Sequence, residues 1–424
     1  MNGGVRKRGT KWYYYFDAGK IGGKRNRIER VGGNTKKEAE AALAAAINDY
    51  NNAGTVFEAS EVTVSDYFDQ WYELFCKPNL KYNTQVGYLR IIEGHLKPKF
   101  GKYKLKSITP AILQKYANDL KFNGYSKSHI VGILTVFQAA MDYAVEPLHY
   151  ISQNPMKTVK FPKVEKKPRE RIILTMDDWN CIIDRFESTR YYIPLMIGFY
   201  TGLRISETFG LTWDDIDLKN RTLTVNKQIV KRNFGADVRK VVEQKGKREQ
   251  RSSWYFTTPK TPTSQRAIPF GETLYKALKK ERAAQLENEI KYGEFYTIHV
   301  LKKEKDEKGN EIFRVVPVQK CVDIQLPRTR LICITENGQY TSTDSFKYCS
   351  RIIHRELQLA FDYHSLRHTH ATMLIEAGAN VKNVQMRLGH TNIQTTLQTY
   401  VHDTEKMGEQ SVELFEQITS VKTS

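Results

Sequence analysis

Residues 364–370, HSLRHTH, place three histidines and an arginine within seven positions. Two chemistries use such a cluster. Histidines hold zinc, and His364, His368 and His370 could be ligands of a hydrolase, but no H-E-x-x-H arrangement or acidic base lies beside them. The other chemistry grips an anion, and it requires partners elsewhere in the chain. Arg204 and Glu207 stand in TGLRISE, Lys260 in TPKTPTSQRAIP, His390 in RLGH and Tyr400 in LQTYVH. Arginines are always charged and donate two parallel hydrogen bonds to phosphoryl oxygens. Histidines titrate near neutrality and can donate or move protons. A tyrosine hydroxyl, with a pKa of about 10, is a weak nucleophile until a base or a positive field activates it. His364 and Arg367 sit three positions apart, so a helix starting here would present both on one face. His368 and His370 are expected to pack or orient that segment.

The rest of the chain must position these groups. Its 424 residues predict two or three domains, and 40% hydrophobic content suffices for real cores. Lys and Arg outnumber Asp and Glu by 66 to 47, a formal charge of +19. That imbalance costs self-repulsion and points to a polyanionic partner, nucleic acid above all. No segment reads as the roughly 18 apolar residues of a membrane span, and no apolar stretch follows the basic N-terminus as in a signal peptide. Five cysteines, widely spaced and without C-x-x-C, read as reduced thiols in a cytoplasm.

Residues 1–30 hold nine Lys/Arg against two acids around KWYYYF, which predicts short strands with glycine turns. A helix follows, with Thr35 and Glu38 as its capping box. This small basic sheet with one helix suits a DNA groove, and Arg6, Lys7, Arg8, Lys11, Lys24, Arg25 and Arg27 are its candidate contacts. From Val62 to Glu146 the pattern is helical, with a Thr63–Asp66 capping box and Thr109 before Pro110 as start signals. PMKTVKFPKVEKKPRER, with seven basic residues and three prolines, reads as a linker that could lie along phosphates through Lys163, Lys166 and Lys167. A larger domain follows: a helix capped by Thr175 and Asp178, a helical segment turning near Gly202, strand-like stretches, and further helices at the end. The charged residues 301–312 read as a surface insertion.

Taken in order, the five segments around Arg204, Lys260, His364–Arg367, His390 and Tyr400 resemble the tyrosine recombinase family, in particular integrases of phages and integrative mobile elements. No member of the catalytic set is missing. The resemblance implies a multidomain, mainly α chain with small β-sheets. Residues 1–58 would be a small α/β arm-binding domain, 62–156 a helical core-binding domain, 157–171 a basic linker, and 172–424 the tyrosine-recombinase catalytic domain with its C-terminal tail. It further implies that Tyr400 attacks phosphorus and forms a 3′-phosphotyrosyl link, with Lys260 as general acid for the leaving 5′ oxygen and Glu207 as a brace. Cutting and rejoining then exchange one phosphodiester for another without ATP, and no phosphate-binding loop is present. Two arginines stabilise the phosphoryl charge, so neither metal nor cofactor is expected.

Further implications are double-stranded DNA with core and arm-type sites, a homotetramer on DNA, an accessory bending protein, an excision factor, and a bacterial cytoplasm. TEKMGEQSVELFEQI could form a short helix docking on its own or a neighbouring protomer. A non-catalytic DNA-binding regulator with the same fold is the alternative, disfavoured by the intact set.

Overall fold

The structure, a computed structural model, describes residues 3–21, 24–53, 61–163, 171–233, 252–259, 265–306, 308–392 and 416. Two compact units result, Met1–Lys167 and Pro168–Ser424.

The first unit begins with an antiparallel sheet of β1 (Gly3–Arg8), β2 (Lys11–Ile21) and β3 (Lys24–Gly33), in that order. The helix Lys36–Ala53 packs on it, burying Phe16 and Ala39 completely. Thr35 and Glu38 close the expected capping box, each backbone N–H donating to the other's side chain at 3.3 Å. Side chains alternate along a strand, so with Tyr14 and Phe16 turned to the helix, Tyr13 and Tyr15 lie on the opposite face. Their cross-strand partners Arg6 and Glu29 share that face.

Helices Val64–Trp71, Tyr82–Ile91, Pro110–Phe122 and Lys127–Val145 complete the unit. At the first, Thr63 Oγ1 accepts the Asp66 N–H at 3.1 Å and donates to Asp66 Oδ2 at 2.7 Å, so the cap closes side chain to side chain. Two wide turns, Tyr72–Cys76 and Ile92–Leu96, each precede a Lys-Pro pair. Proline lacks the N–H an α-helix needs and crowds the carbonyl four residues back; an i→i+5 turn absorbs both defects. Lys127–Val145 passes for a membrane span by length and composition alone. Its apolar residues instead form the centre of this unit, where Phe137 lies 5.8 Å from Phe68 and 5.5 Å from Phe100, ring centre to ring centre. The start of the expected linker is also docked: Lys160 N–H donates to Gln114 Oε1 at 2.8 Å, and Val159 is buried.

The second unit packs helices Met176–Phe186, Tyr192–Thr201, Phe346–Glu356 and Tyr363–Glu376 around one core. Trp179 stacks on Phe199 at 3.9 Å, and Phe346 meets Tyr363 edge-on at 5.0 Å. The Thr175–Asp178 capping box forms in full. Two antiparallel sheets flank the helices. One runs β4 (Ile216–Asp217), β5 (Thr222–Val225), β8 (Arg266–Pro269); the other runs β11 (Arg328–Thr329), β9 (Thr297–Lys305), β10 (Glu311–Gln319), β7 (Ser252–Thr257), β6 (Gln228–Asn233). Residues 301–312 are therefore no simple surface insertion. They form the turn end of a β9–β10 hairpin paired in register from Thr297 with Gln319 to Lys305 with Glu311. Val300, Ile312 and Val315 are buried, Lys302, Lys303, Lys305 and Glu311 are exposed, and the half-buried Glu304 pairs Arg314 at 3.1 Å. The long helix Glu272–Tyr292, also unread in the sequence, buries only Leu274, Ala277 and Leu278.

Candidate active site

The helix Tyr192–Thr201 ends at Gly202, whose φ of 66° is left-handed. A Cβ there would also lie 2.8 Å from Leu388 Cδ2 and 2.9 Å from His370 Cδ2, so the position accepts only glycine on both counts. Two residues on, Arg204 caps the short helix Ile205–Thr208. Its backbone N–H donates to Glu207 Oε2 at 3.0 Å and its Nη1 to Glu207 Oε1 at 2.8 Å.

Glu207 is nearly fully buried and serves a second cation. Arg266, in β8, donates from Nη2 to Glu207 Oε2 at 3.0 Å. Burial alone would raise the carboxyl pKa, but Arg266 and then Arg204 outweigh it and hold Glu207 below its ordinary value. Arg367 is 1% exposed, as expected of a site group and not of a surface charge. Its Nη1 donates to Gly202 O at 2.8 Å and its Nη2 to Leu388 O at 2.7 Å.

The helix Val381–Leu388 ends in a second left-handed glycine, Gly389, with φ 66°. Three successive carbonyls at this terminus each receive a different guanidinium. Arg387 O accepts from Arg266 Nε at 2.7 Å, Leu388 O from Arg367 Nη2 at 2.7 Å, and Gly389 O from Arg204 Nη2 at 3.4 Å. Last-turn carbonyls lack partners within a helix and carry its negative end, so they are suited to collect cations.

His364 and Arg367 both lie on the helix Tyr363–Glu376, which Asp362 caps at Ser365 N–H. Tyr363 anchors its start in the core, with Oη 3.0 Å from Pro194 O and 2.7 Å from Thr208 Oγ1. His364 is exposed; partial desolvation and then the charge of Arg367 lower its pKa. Burial, followed by Arg367, Arg204 and Arg266, depresses His390 to about 3. Both imidazoles are therefore neutral at neutral pH. The remaining histidines support the segment: His368 meets the His364 ring edge-on at 5.0 Å, and His370 Nε2 accepts from Arg387 Nε at 2.9 Å. With its Nε2 lone pair taken by a guanidinium, His370 is not arranged as a metal ligand. Among the described residues, no group of three or more His, Cys, Asp or Glu side chains is arranged to hold a metal ion.

Arg204, Glu207, His364, Arg367 and His390 thus converge, joined by Arg266 and Arg387, which the sequence reading did not single out. Arg266 was detectable: in β8 it shares a face with Ile268, which is wholly buried. Lys260 and Tyr400 lie outside the described residues, as do Lys166, Lys167 and nearly all of the C-terminal tail. Of the basic candidates in the first unit, Lys7, Lys11 and Lys163 are exposed. Arg6 binds Glu29 through two hydrogen bonds, Arg8 approaches Glu29 at 3.6 Å, and Arg27 lies 3.8 Å over the Tyr15 ring. Lys24 and Arg25 occupy the β3 strand.

Arg204 and Arg266 share one buried carboxylate and Arg367 is held on backbone carbonyls, which leaves an excess positive charge beside two neutral imidazoles. Such an arrangement has the charge and donors to hold an anionic group such as a phosphoryl. Residues 170–407 match the phage integrase family, 63–121 the phage integrase N-terminal SAM-like domain, and 5–50 an arm DNA-binding domain. The chain belongs to the phage integrase family. It is a tyrosine recombinase, a site-specific DNA recombinase of the mobile-element type. The chain is 28% identical over 391 residues to a tyrosine recombinase XerC-like protein of Caldanaerobacter subterraneus subsp. tengcongensis, covering 90% of this chain and 89% of that one. It is 25% identical to the ICEBs1 integrase of Bacillus subtilis, covering 78% and 75%. Its fold is similar to the Tn1549 transposon integrase solved with a circular intermediate DNA, at TM-score 0.60 and 22% identity over 84% of this chain and 99% of that one. A lambda integrase dimer bound to a core site superposes at TM-score 0.52 and 15% identity, covering 93% and 94%.

Proposed function

We propose that Arg204, Arg367 and His390 hold the non-bridging oxygens of a scissile DNA phosphate while Tyr400 attacks the phosphorus. The Tyr400 Oη–P bond forms as the P–O5′ bond breaks, leaving a 3′-phosphotyrosyl link and a free 5′ hydroxyl. His364, neutral and exposed, takes the tyrosine proton, and Lys260 supplies the proton to the departing 5′ oxygen. Glu207 orients Arg204. The guanidiniums carry the charge stabilisation, so the step uses neither a metal nor ATP. The observation that carries this reading is the shared Glu207 carboxylate, which fixes two arginines yet neutralises only one of them.

In the same reading residues 1–58 bind arm-type DNA sites through the sheet face bearing Arg6, Tyr13 and Tyr15, residues 62–156 bind core sites, and 157–171 connect them to the catalytic domain, 172–424. Four protomers act together on DNA, with a bending protein and an excision factor as accessories, in the cytoplasm of a bacterial host. The lambda integrase tetramer solved on a Holliday junction supports that assembly.

The test is a nicked duplex carrying the ends of the element that encodes the chain. The wild-type protein traps as a covalent adduct on it, and Tyr400→Phe does not, while binding the same duplex with near-normal affinity because only a hydroxyl is lost. An adduct formed by the phenylalanine variant would displace Tyr400 as nucleophile.

A further inference from the structure

We infer that Arg266 is a positioning residue for strand cleavage, holding Glu207 and the Arg387–His390 turn so that Arg204 faces the scissile phosphate with its charge uncancelled. The inference rests on the reading above. It begins with an imbalance: Glu207 has one negative charge and two guanidinium partners. An isolated Arg204–Glu207 pair would be neutral and self-satisfied, and a phosphate would gain little from approaching it. Arg266 draws on the same carboxylate, taking Oε2 at 3.0 Å, and so leaves a net positive charge for the substrate.

The second observation is where the rest of Arg266 goes. Its side chain is 7% exposed, too buried to contact DNA directly by its own reach, and its Nε donates to Arg387 O at 2.7 Å. A Cβ on Gly389 would come within 2.9 Å of Arg266 Nη1, so the guanidinium lies flat against the turn that presents His390. One planar group thus spans strand β8, the helix Ile205–Thr208 and the terminus of the helix Val381–Leu388. Arginine suits this because its fork fixes several donors in one plane, whereas lysine offers a point charge.

The role predicts a chemical signature that a merely structural role would not produce. Arg204 acts on the negative charge of the non-bridging oxygens. A scissile methylphosphonate lacks that charge, so its cleavage does not need an uncancelled Arg204. Adduct formation is measured at saturating DNA for Arg266→Ala, Arg266→Gln and Arg266→Lys, on phosphate and on methylphosphonate suicide substrates. The expected result on phosphate is a loss of about 10–100-fold for Ala and Gln, typical of removing a supporting contact, with partial recovery for Lys. On methylphosphonate the loss shrinks to within about threefold, and DNA affinity stays within about threefold of wild type, as a group acting only in the transition state requires. Equal losses on both substrates, or no loss on phosphate, overturn the inference. If the Ala variant does not fold, the Gln-against-Lys comparison carries the same test. Absence of any wild-type adduct would instead defeat the underlying reading, so the two failures are distinct.

Discussion

Arg387 Nε donates to His370 Nε2 at 2.9 Å, joining the helix Tyr363–Glu376 to the helix Val381–Leu388. The same guanidinium reaches Pro269 O and Tyr200 O, each at 3.0 Å. An Arg–His pair of this kind requires the imidazole to be neutral, since only then does Nε2 offer a lone pair. Burial and then Arg387 push His370 down to about 4, which keeps it so. The third histidine of HSLRHTH is therefore a structural acceptor, which leaves His364 and Arg367 as the heptad's proposed catalytic groups.

Glu207→Gln is expected to destabilise the catalytic domain and to abolish most cleavage. The substitution leaves Arg204 and Arg266 facing a neutral amide in a buried position. Removing one partner of a buried pair costs about 3–5 kcal/mol. Chemical denaturation of wild type and variant measures the first effect and adduct formation the second; an unchanged unfolding midpoint would mean that Glu207 is not the joint described.

Acid should weaken this domain before its carboxylates titrate. His390 at about 3 and His370 at about 4 lie below the value of about 6.5 of an unfolded histidine. Below about 6.5 the unfolded chain binds protons that the folded one refuses, so stability is complete above that pH and declines as pH falls. The unfolding free energy followed from pH 7.5 to 5 checks the direction, and His370→Gln should flatten the curve. A rise in stability over that interval would contradict the depressed values.

The sheet face of the first unit predicts opposite effects of two neighbours. Arg6→Ala removes a cation, and the slope of binding against salt should fall by about 0.9 if one phosphate contact is lost. Glu29→Gln frees Arg6 and Arg8 from their shared carboxylate, so arm-site affinity at low salt should rise. Fluorescence anisotropy across a salt series reads both. A Glu29→Gln variant that binds more weakly would assign Glu29 a direct role in the groove.

Local features were legible in the sequence, and spatial ones less so. The caps at Thr109 and Thr175 and the turn at Gly202 are encoded within a few residues and occur where expected. Arg204, Glu207, His364, Arg367 and His390 were legible through their motifs, although their convergence is a property of the fold. Arg266 was overlooked because its partners lie 59 and 121 residues away. The β9–β10 hairpin was misread because Lys302, Lys303, Glu304 and Lys305 mask its alternation. Their charges are accommodated by cross-strand pairing, which composition does not reveal.

The three carbonyls of Arg387, Leu388 and Gly389 carry one more consequence. Every amino acid brings the same carbonyl oxygen, so the acceptors that align Arg266, Arg367 and Arg204 belong to the main chain of that terminus. The constraint collects at Gly389, the one position of the three where the backbone itself dictates the residue.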